Sequence, residues 1–210
     1  MISEVKRRVV RPREVLVVDS FLRASTCKRM LEELEDTHWS RSGVSRLASG
    51  HEYSEVQANF RDSASAQQLG FGARLKRAIK RIEKRLSEEF KCDPAHLEEW
   101  QATRYKRGEQ FKYHLDGGHW KDSTAGDRKR TYLIYLDAPE KGGETHFRAL
   151  NTTVAPKAGR LVVWNNLLPT GFCDHAMIHS GLEVKKGTKT TLVTWERERA
   201  TRQSTRKKGR

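Results

Sequence analysis

The sequence is short of cysteine, acidic charge and long apolar runs. Its 210 residues hold three cysteines. Cys27, Cys92 and Cys173 are too few and too far apart for a disulfide scaffold, and they suit a reducing, cytoplasmic setting. No apolar segment approaches the ~20 residues that cross a bilayer, which argues against an integral membrane protein. The opening MISEVKRRVVRPREV is basic and lacks the apolar stretch of a secretory signal. Asp and Glu number 27 against 41 Lys and Arg, a formal charge of +14. What is present excludes wholesale disorder: five Trp, five Tyr and seven Phe can seed a core.

The positive excess sits at the ends. Residues 1–13 carry +4 and residues 197–210 carry +6, which leaves +4 for residues 14–196. We therefore expect one domain with a basic N-terminal segment at 1–13, a supporting region at 14–98, a core at 99–196 and a basic, mobile tail at 197–210. The tail RQSTRKKGR has nothing apolar to bury. A solvated end is the plainer reading of that charge, and a weak contact with nucleic acid or an acidic partner the sharper one.

Val15 to Val18 reads as a buried strand and residues 25–36 as a helix with Ser25 as N-cap. Residues 40–70 read as a long loop near a ligand, with one strand at 53–60. In residues 72–91, Leu75, Ile79, Ile82, Leu86 and Phe90 follow at spacings of 4, 3, 4 and 4, the apolar stripe of an amphipathic helix. From residue 99 onward, short segments rich in β-branched and aromatic residues alternate with Gly108, Gly117-Gly118, Gly142-Gly143, Gly159 and Gly187. The expected fold is α+β, mostly β: a double-stranded β-helix, or jelly roll, with the N-terminal helices packed outside it.

His114 and Asp116 stand two apart at a strand end and project from one face. A distant histidine would complete a two-His, one-carboxylate set, the ligand pattern of non-haem Fe(II) oxygenases. Standing by itself, His-x-Asp reads more readily as a surface pair. His179 is followed ten residues later by Lys189 across a glycine turn, and a hairpin would return that lysine to the same pocket. There it can pair with a carboxylate, and Tyr105 can offer a phenol.

With these residues in order the chain resembles the prolyl 4-hydroxylase-like 2-oxoglutarate/Fe(II) dioxygenases. Arg104-Tyr105 through Gly108 leads to His114-Leu115-Asp116. Then follow Thr131 to Leu136, Gly142-Gly143-Glu144-Thr145-His146-Phe147, Pro156-Lys157-Ala158-Gly159, His179 to Lys189, and Trp195. The resemblance is close over 99–196 and looser over 14–36. It implies Fe(II) on His114, Asp116 and His179, and 2-oxoglutarate on Lys189, Tyr105 and Thr131. It also implies O2 as co-substrate and ascorbate as a further candidate cofactor. Asp116 implies a hydroxylase, because related halogenases carry a small residue there. Phe111 stands where many relatives have Tyr, and His146 where an apolar residue is usual.

The resemblance thus implies decarboxylation of 2-oxoglutarate to succinate coupled to hydroxylation of a C–H bond, on a prolyl residue of a peptide or protein. A free amino acid or small metabolite is the alternative substrate. From a different class, a basic nucleic-acid or ribosome-binding protein could use the barrel as a scaffold. A nucleic-acid demethylase is disfavoured, since that branch generally has Arg where Lys189 stands. His119, His146 and His175 are secondary ligand candidates. Trp120 and Trp164 read as core, Trp195 as a pocket wall, Arg104, Arg128 and Arg130 as a solvated basic face, and Cys173 as inert packing.

Overall fold

The structure, a computed structural model, describes residues 7–43, 45–47, 53–55 and 60–202. In chain order its elements are β1 (Val15–Val18), α1 (Ala24–Glu35), β2 (Ser40–Arg41), β3 (Ser45–Leu47), β4 (Tyr53–Glu55), β5 (Ala64–Gln67) and α2 (Ala73–Phe90). The core continues as β6 (Gln101–Tyr105), β7 (Phe111–His114), β8 (Arg128–Tyr135), β9 (Lys141–Gly142), β10 (Thr145–Phe147), β11 (Thr152–Val154) and β12 (Leu161–Asn165). It closes with β13 (His179–Gly181), β14 (Val184–Lys186) and β15 (Lys189–Arg197).

A seven-stranded antiparallel sheet, ordered β1-β12-β8-β15-β6-β5-β2, faces a four-stranded sheet ordered β11-β10-β13-β7. These are the two layers of the expected jelly roll. Alternation along the strands of the larger sheet separates two cores. Tyr132, Ile134, Leu161, Val163 and Leu192 turn outward against α1 and α2, whereas Tyr135, Val162 and Trp164 turn inward toward Phe147 and Met177 of the second layer. The stripe of α2 is buried as its spacing predicts. Leu86 is fully buried, so Leu86→Ala should cost about 2–5 kcal/mol, read as a lower denaturant midpoint with an unchanged slope. At Gly159 φ is +79°, and an added Cβ would lie 2.0 Å from the Leu22 carbonyl oxygen. That close approach locks the PKAG turn against the start of α1.

Three expectations need correction. Ser25 lies inside α1; the N-cap is Arg23, which makes no side-chain capping bond. Residues 40–70 hold β2 to β5, and two of these strands join the larger sheet; of the strand expected at 53–60, positions 56–59 lie outside the described residues. The expected mobile tail begins too early. Arg197 ends β15, and residues 198–202 are fastened to the domain. Arg199 donates to the carbonyls of Ser123 and Thr124. The Thr201 and Arg202 amides donate to Ala95 O, and Arg202 pairs with Glu83 of α2 at 2.8 Å. Residues 203–210 lie outside the described residues. Cys27, Cys92 and Cys173 are all free, and no described helix is long and apolar enough to cross a membrane.

Candidate metal centre and pocket

The pairing of β7 with β13 places His114 and His179 directly opposite each other. Asp116 lies two residues beyond the end of β7 and is buried. His114 Nε2 is 3.6 Å from Asp116 Oδ1, and His179 Nε2 is 3.7 Å from Asp116 Oδ2. One donor atom from each residue falls within 4.8 Å of the others, the one such group among the described residues. With metal–donor bonds of ~2.1 Å, two donors on one ion lie roughly 3–4 Å apart, so this spacing suits a shared ion.

Both rings are held by the far nitrogen. His114 Nδ1 is bonded to Lys112 O at 2.8 Å and His179 Nδ1 to Met177 O at 2.9 Å. A carbonyl only accepts, so each Nδ1 carries the proton and each Nε2 presents its lone pair to the centre. Burial, with His179 beside it, depresses His114 to about 3. Burial pushes Asp116 upward, yet His179, His114 and Arg128 outweigh it and hold the carboxyl below its ordinary range. The pair is thus set as neutral imidazole and carboxylate at neutral pH. Two imidazoles and one carboxylate fit Fe(II) in the facial geometry that leaves positions open.

Thr131 makes a contact that its expected role does not include. Its hydroxyl donates to Asp116 Oδ2 at 2.7 Å and accepts from Asn166 Nδ2 at 2.9 Å. It orients a candidate ligand and also lines the pocket. Thr131→Val keeps the shape and removes the donor, so metal affinity should fall by about 10–100-fold. Titration of the metal against a chelator checks this; equal affinity in both proteins would refute the role.

Lys189 and Tyr105 are paired across β15 and β6. The ammonium sits 4.2 Å from the Tyr105 ring centroid and donates to Gly143 O at 2.9 Å. Lys189 is 2% exposed. Burial lowers its pKa to about 7, against the pull of Glu144 and Asp137. Burial likewise raises the Tyr105 phenol, keeping it a neutral donor. Lys189, Tyr105, His114, Asp116 and His179 line one pocket. Ammonium and phenol are the groups that suit a carboxylate placed there.

The same pocket contains Arg61, which sequence reading missed. Its guanidinium is buried on neutral partners, 2.9 Å from Thr103 Oγ1 and 3.1 Å from Ser63 Oγ, and lies over Phe111 at 4.7 Å. Phe111 stacks on His114 at 3.6 Å. Trp195 does wall the pocket, and Arg128 covers it at 3.7 Å, fixed by two bonds to Glu98. Arg128 is thereby half-buried at the site, not part of a solvated face. Arg104 instead pairs with Glu35, and Arg130 with Glu196. Trp164 packs edge-on against His179 at 4.8 Å and belongs both to the inner core and to the pocket lining. His146 is bonded to Tyr113 Oη at 2.5 Å, and His119 and His175 are exposed; none joins the three-residue group. Burial pushes the Cys173 thiol to about 11, in keeping with inert packing.

Residues 100–197 match the 2OG-Fe(II) oxygenase superfamily. Prolyl 4-hydroxylase subunit alpha-1 of Gallus gallus is 32% identical over 68% of this chain, which spans 28% of that subunit's length. Probable prolyl 4-hydroxylase 10 of Arabidopsis thaliana is 28% identical over 86% of this chain and 68% of its own. A truncated form of the viral collagen prolyl hydroxylase from Paramecium Bursaria Chlorella virus-1 superposes with a TM-score of 0.63 at 26% identity, covering 87% of this chain and 88% of that one.

Proposed function

We propose, on the premise that residues 100–197 match the 2OG-Fe(II) oxygenase superfamily, that this chain hydroxylates a prolyl residue of a peptide or protein while 2-oxoglutarate is decarboxylated to succinate. The observation that carries this reading is the convergence of His114, Asp116 and His179 around one point, in a pocket that also buries Lys189. His114, Asp116 and His179 would hold Fe(II). Lys189 and Tyr105 would hold the far carboxylate of 2-oxoglutarate by charge and hydrogen bond. Fe(II), when bound, supplies the O2 activation that couples decarboxylation to C–H hydroxylation.

The chain's own contribution is placement. Lys112 O and Met177 O fix the imidazole tautomers, and Thr131 fixes the carboxylate. Phe111, Trp164 and Trp195 give apolar walls suited to a pyrrolidine ring. Collagen and other prolyl hydroxylases among the relatives support a prolyl substrate. Ascorbate enters this reading as the reductant that would restore Fe(II). Three unpaired thiols support a cytoplasmic place of action.

Purified protein with iron, 2-oxoglutarate and O2 should release succinate and add about 16 Da, one oxygen, to members of a prolyl-peptide panel. Free amino acids and oligonucleotides run in parallel. Oxygen gained only by a free amino acid would replace the peptide reading, and no succinate with any substrate would reject the oxygenase reading.

A further inference from the structure

A second feature lies on the other side of the larger sheet, where α1 and α2 cover its outward face. We infer that the cleft between these helices docks the phosphate backbone of double-stranded nucleic acid. The helices run antiparallel: Arg85 near the end of α2 lies over Phe21 just before α1 at 4.2 Å, and Arg74 at the start of α2 reaches Glu33 near the end of α1 at 3.6 Å. The cleft encloses about 820 Å³, and its walls carry Arg23, Arg29, Arg74, Arg77, Arg81 and Arg85. Three acids share the walls, Glu32, Glu33 and Asp36, so the balance is positive.

The arginines differ in their commitments. Arg74 pairs with Glu33 and Arg85 with Glu89. Arg23, Arg77 and Arg81 make no ion pair or side-chain hydrogen bond among the described residues, and all three are exposed. Two acids of α2 that could neutralise them are turned inward: Glu83 is occupied by Trp100 and Arg202, and Glu89 by Arg8 and Arg85. Along α2, Arg74, Arg77, Arg81 and Arg85 repeat at three or four residues, a guanidinium every ~4.5–6 Å of helix. A ribbon of charge of this kind matches a polyanion better than a single anion.

The floor decides between polyanions. Phe21, Met30, Leu75 and Ile82 are only 1–3% exposed, so no apolar socket is left for the anchors by which amphipathic peptide helices dock. The exposed large apolar side chains, Val9, Val17, Phe60, Leu69 and Phe172, are not among the cleft's lining residues. Among the described residues that line the cleft there is no exposed ring to stack an unpaired base. What remains is charge read without sequence, as phosphates are read along a duplex. Because pocket and cleft use opposite faces of one sheet, a bound duplex would leave the pocket open. This inference does not depend on the oxygenase reading.

The test titrates a labelled random-sequence duplex with the full chain, termini intact, by fluorescence anisotropy over a range of salt. The triple variant Arg23→Gln/Arg77→Gln/Arg81→Gln should bind at least about tenfold more weakly, and its log–log salt slope should be shallower by about 2–3, near 0.9 per lost phosphate contact. Its thermal midpoint and its 2-oxoglutarate binding should match the parent, and a triple Lys variant should retain most of the affinity. Parent-like duplex binding by the Gln triple variant would overturn the inference. So would binding that ignores salt, or tighter binding to a single strand, to polyglutamate or to anionic vesicles than to the duplex.

Discussion

Replacing His179 with alanine should leave a chain that retains almost no iron and forms almost no succinate. His179 is one of three candidate donors, and two cannot define a facial site. Loss of partners that merely orient ligands already costs about 10–100-fold, so loss of a ligand should exceed about 100-fold in both metal affinity and turnover. The imidazole also packs between Trp164 and Phe147, at 4.8 and 5.3 Å, so alanine opens a gap in the inner core. His179→Gln serves as the filled-gap control: it should unfold near the parent's temperature yet remain as poor in iron and turnover as alanine. Iron per chain and succinate per chain are the measurements. Parent-like iron content in either variant would remove His179 from the site.

The second large effect concerns pH. Lys189 is depressed to about 7 chiefly by burial, whereas an unfolded lysine titrates near 10.4. Below pH 7 the ammonium is charged and ready for a carboxylate. Above it, 2-oxoglutarate must bring a proton with it, and affinity should fall by up to about tenfold per pH unit between 7 and the higher pKa reached in the complex. Equilibrium binding of 2-oxoglutarate at pH 6.5, 7.5 and 8.5 should show this slope, and Lys189→Met should bind weakly and without it. The ligand-free chain moves the opposite way. Its unfolded state binds more protons between about 7 and 10.4, so stability rises with pH across that window. A flat binding profile for the parent would show that Lys189 does not receive the cosubstrate.

How much of this was legible in the sequence follows from how local each signal is. The period of Leu75, Ile79, Ile82, Leu86 and Phe90 belongs to one helix, and α2 lies where it predicts. The His114, Asp116 and His179 cluster was legible because His114 and Asp116 are two apart, but the expected hairpin from His179 to Lys189 is not there: β13 lies in the smaller sheet, β15 in the larger one, and β14 between them pairs with β9. Strand β13 has no local signal, since His-Ser-Gly has no β-branched residue; only its pairing with β10 and β7 makes it a strand. Arg61 was hidden because its burial depends on Thr103, 42 positions away. Period two puts Thr131 on the inner face but does not say which acceptor waits there, and the acceptor proved to be Asp116. Residues 198–202 look like a solvated end by composition. Backbone bonds to Ala95, Ala125 and Asp127 leave no trace in side-chain polarity.

The alternation in β8 has an energetic consequence. Thr131 and Leu133 line the pocket while Tyr132 and Ile134 meet the helices. Replacements on opposite sides share a strand but few partners, so their free-energy effects should combine as near-independent increments. The helical face can therefore be remodelled substantially before the catalytic face registers the change.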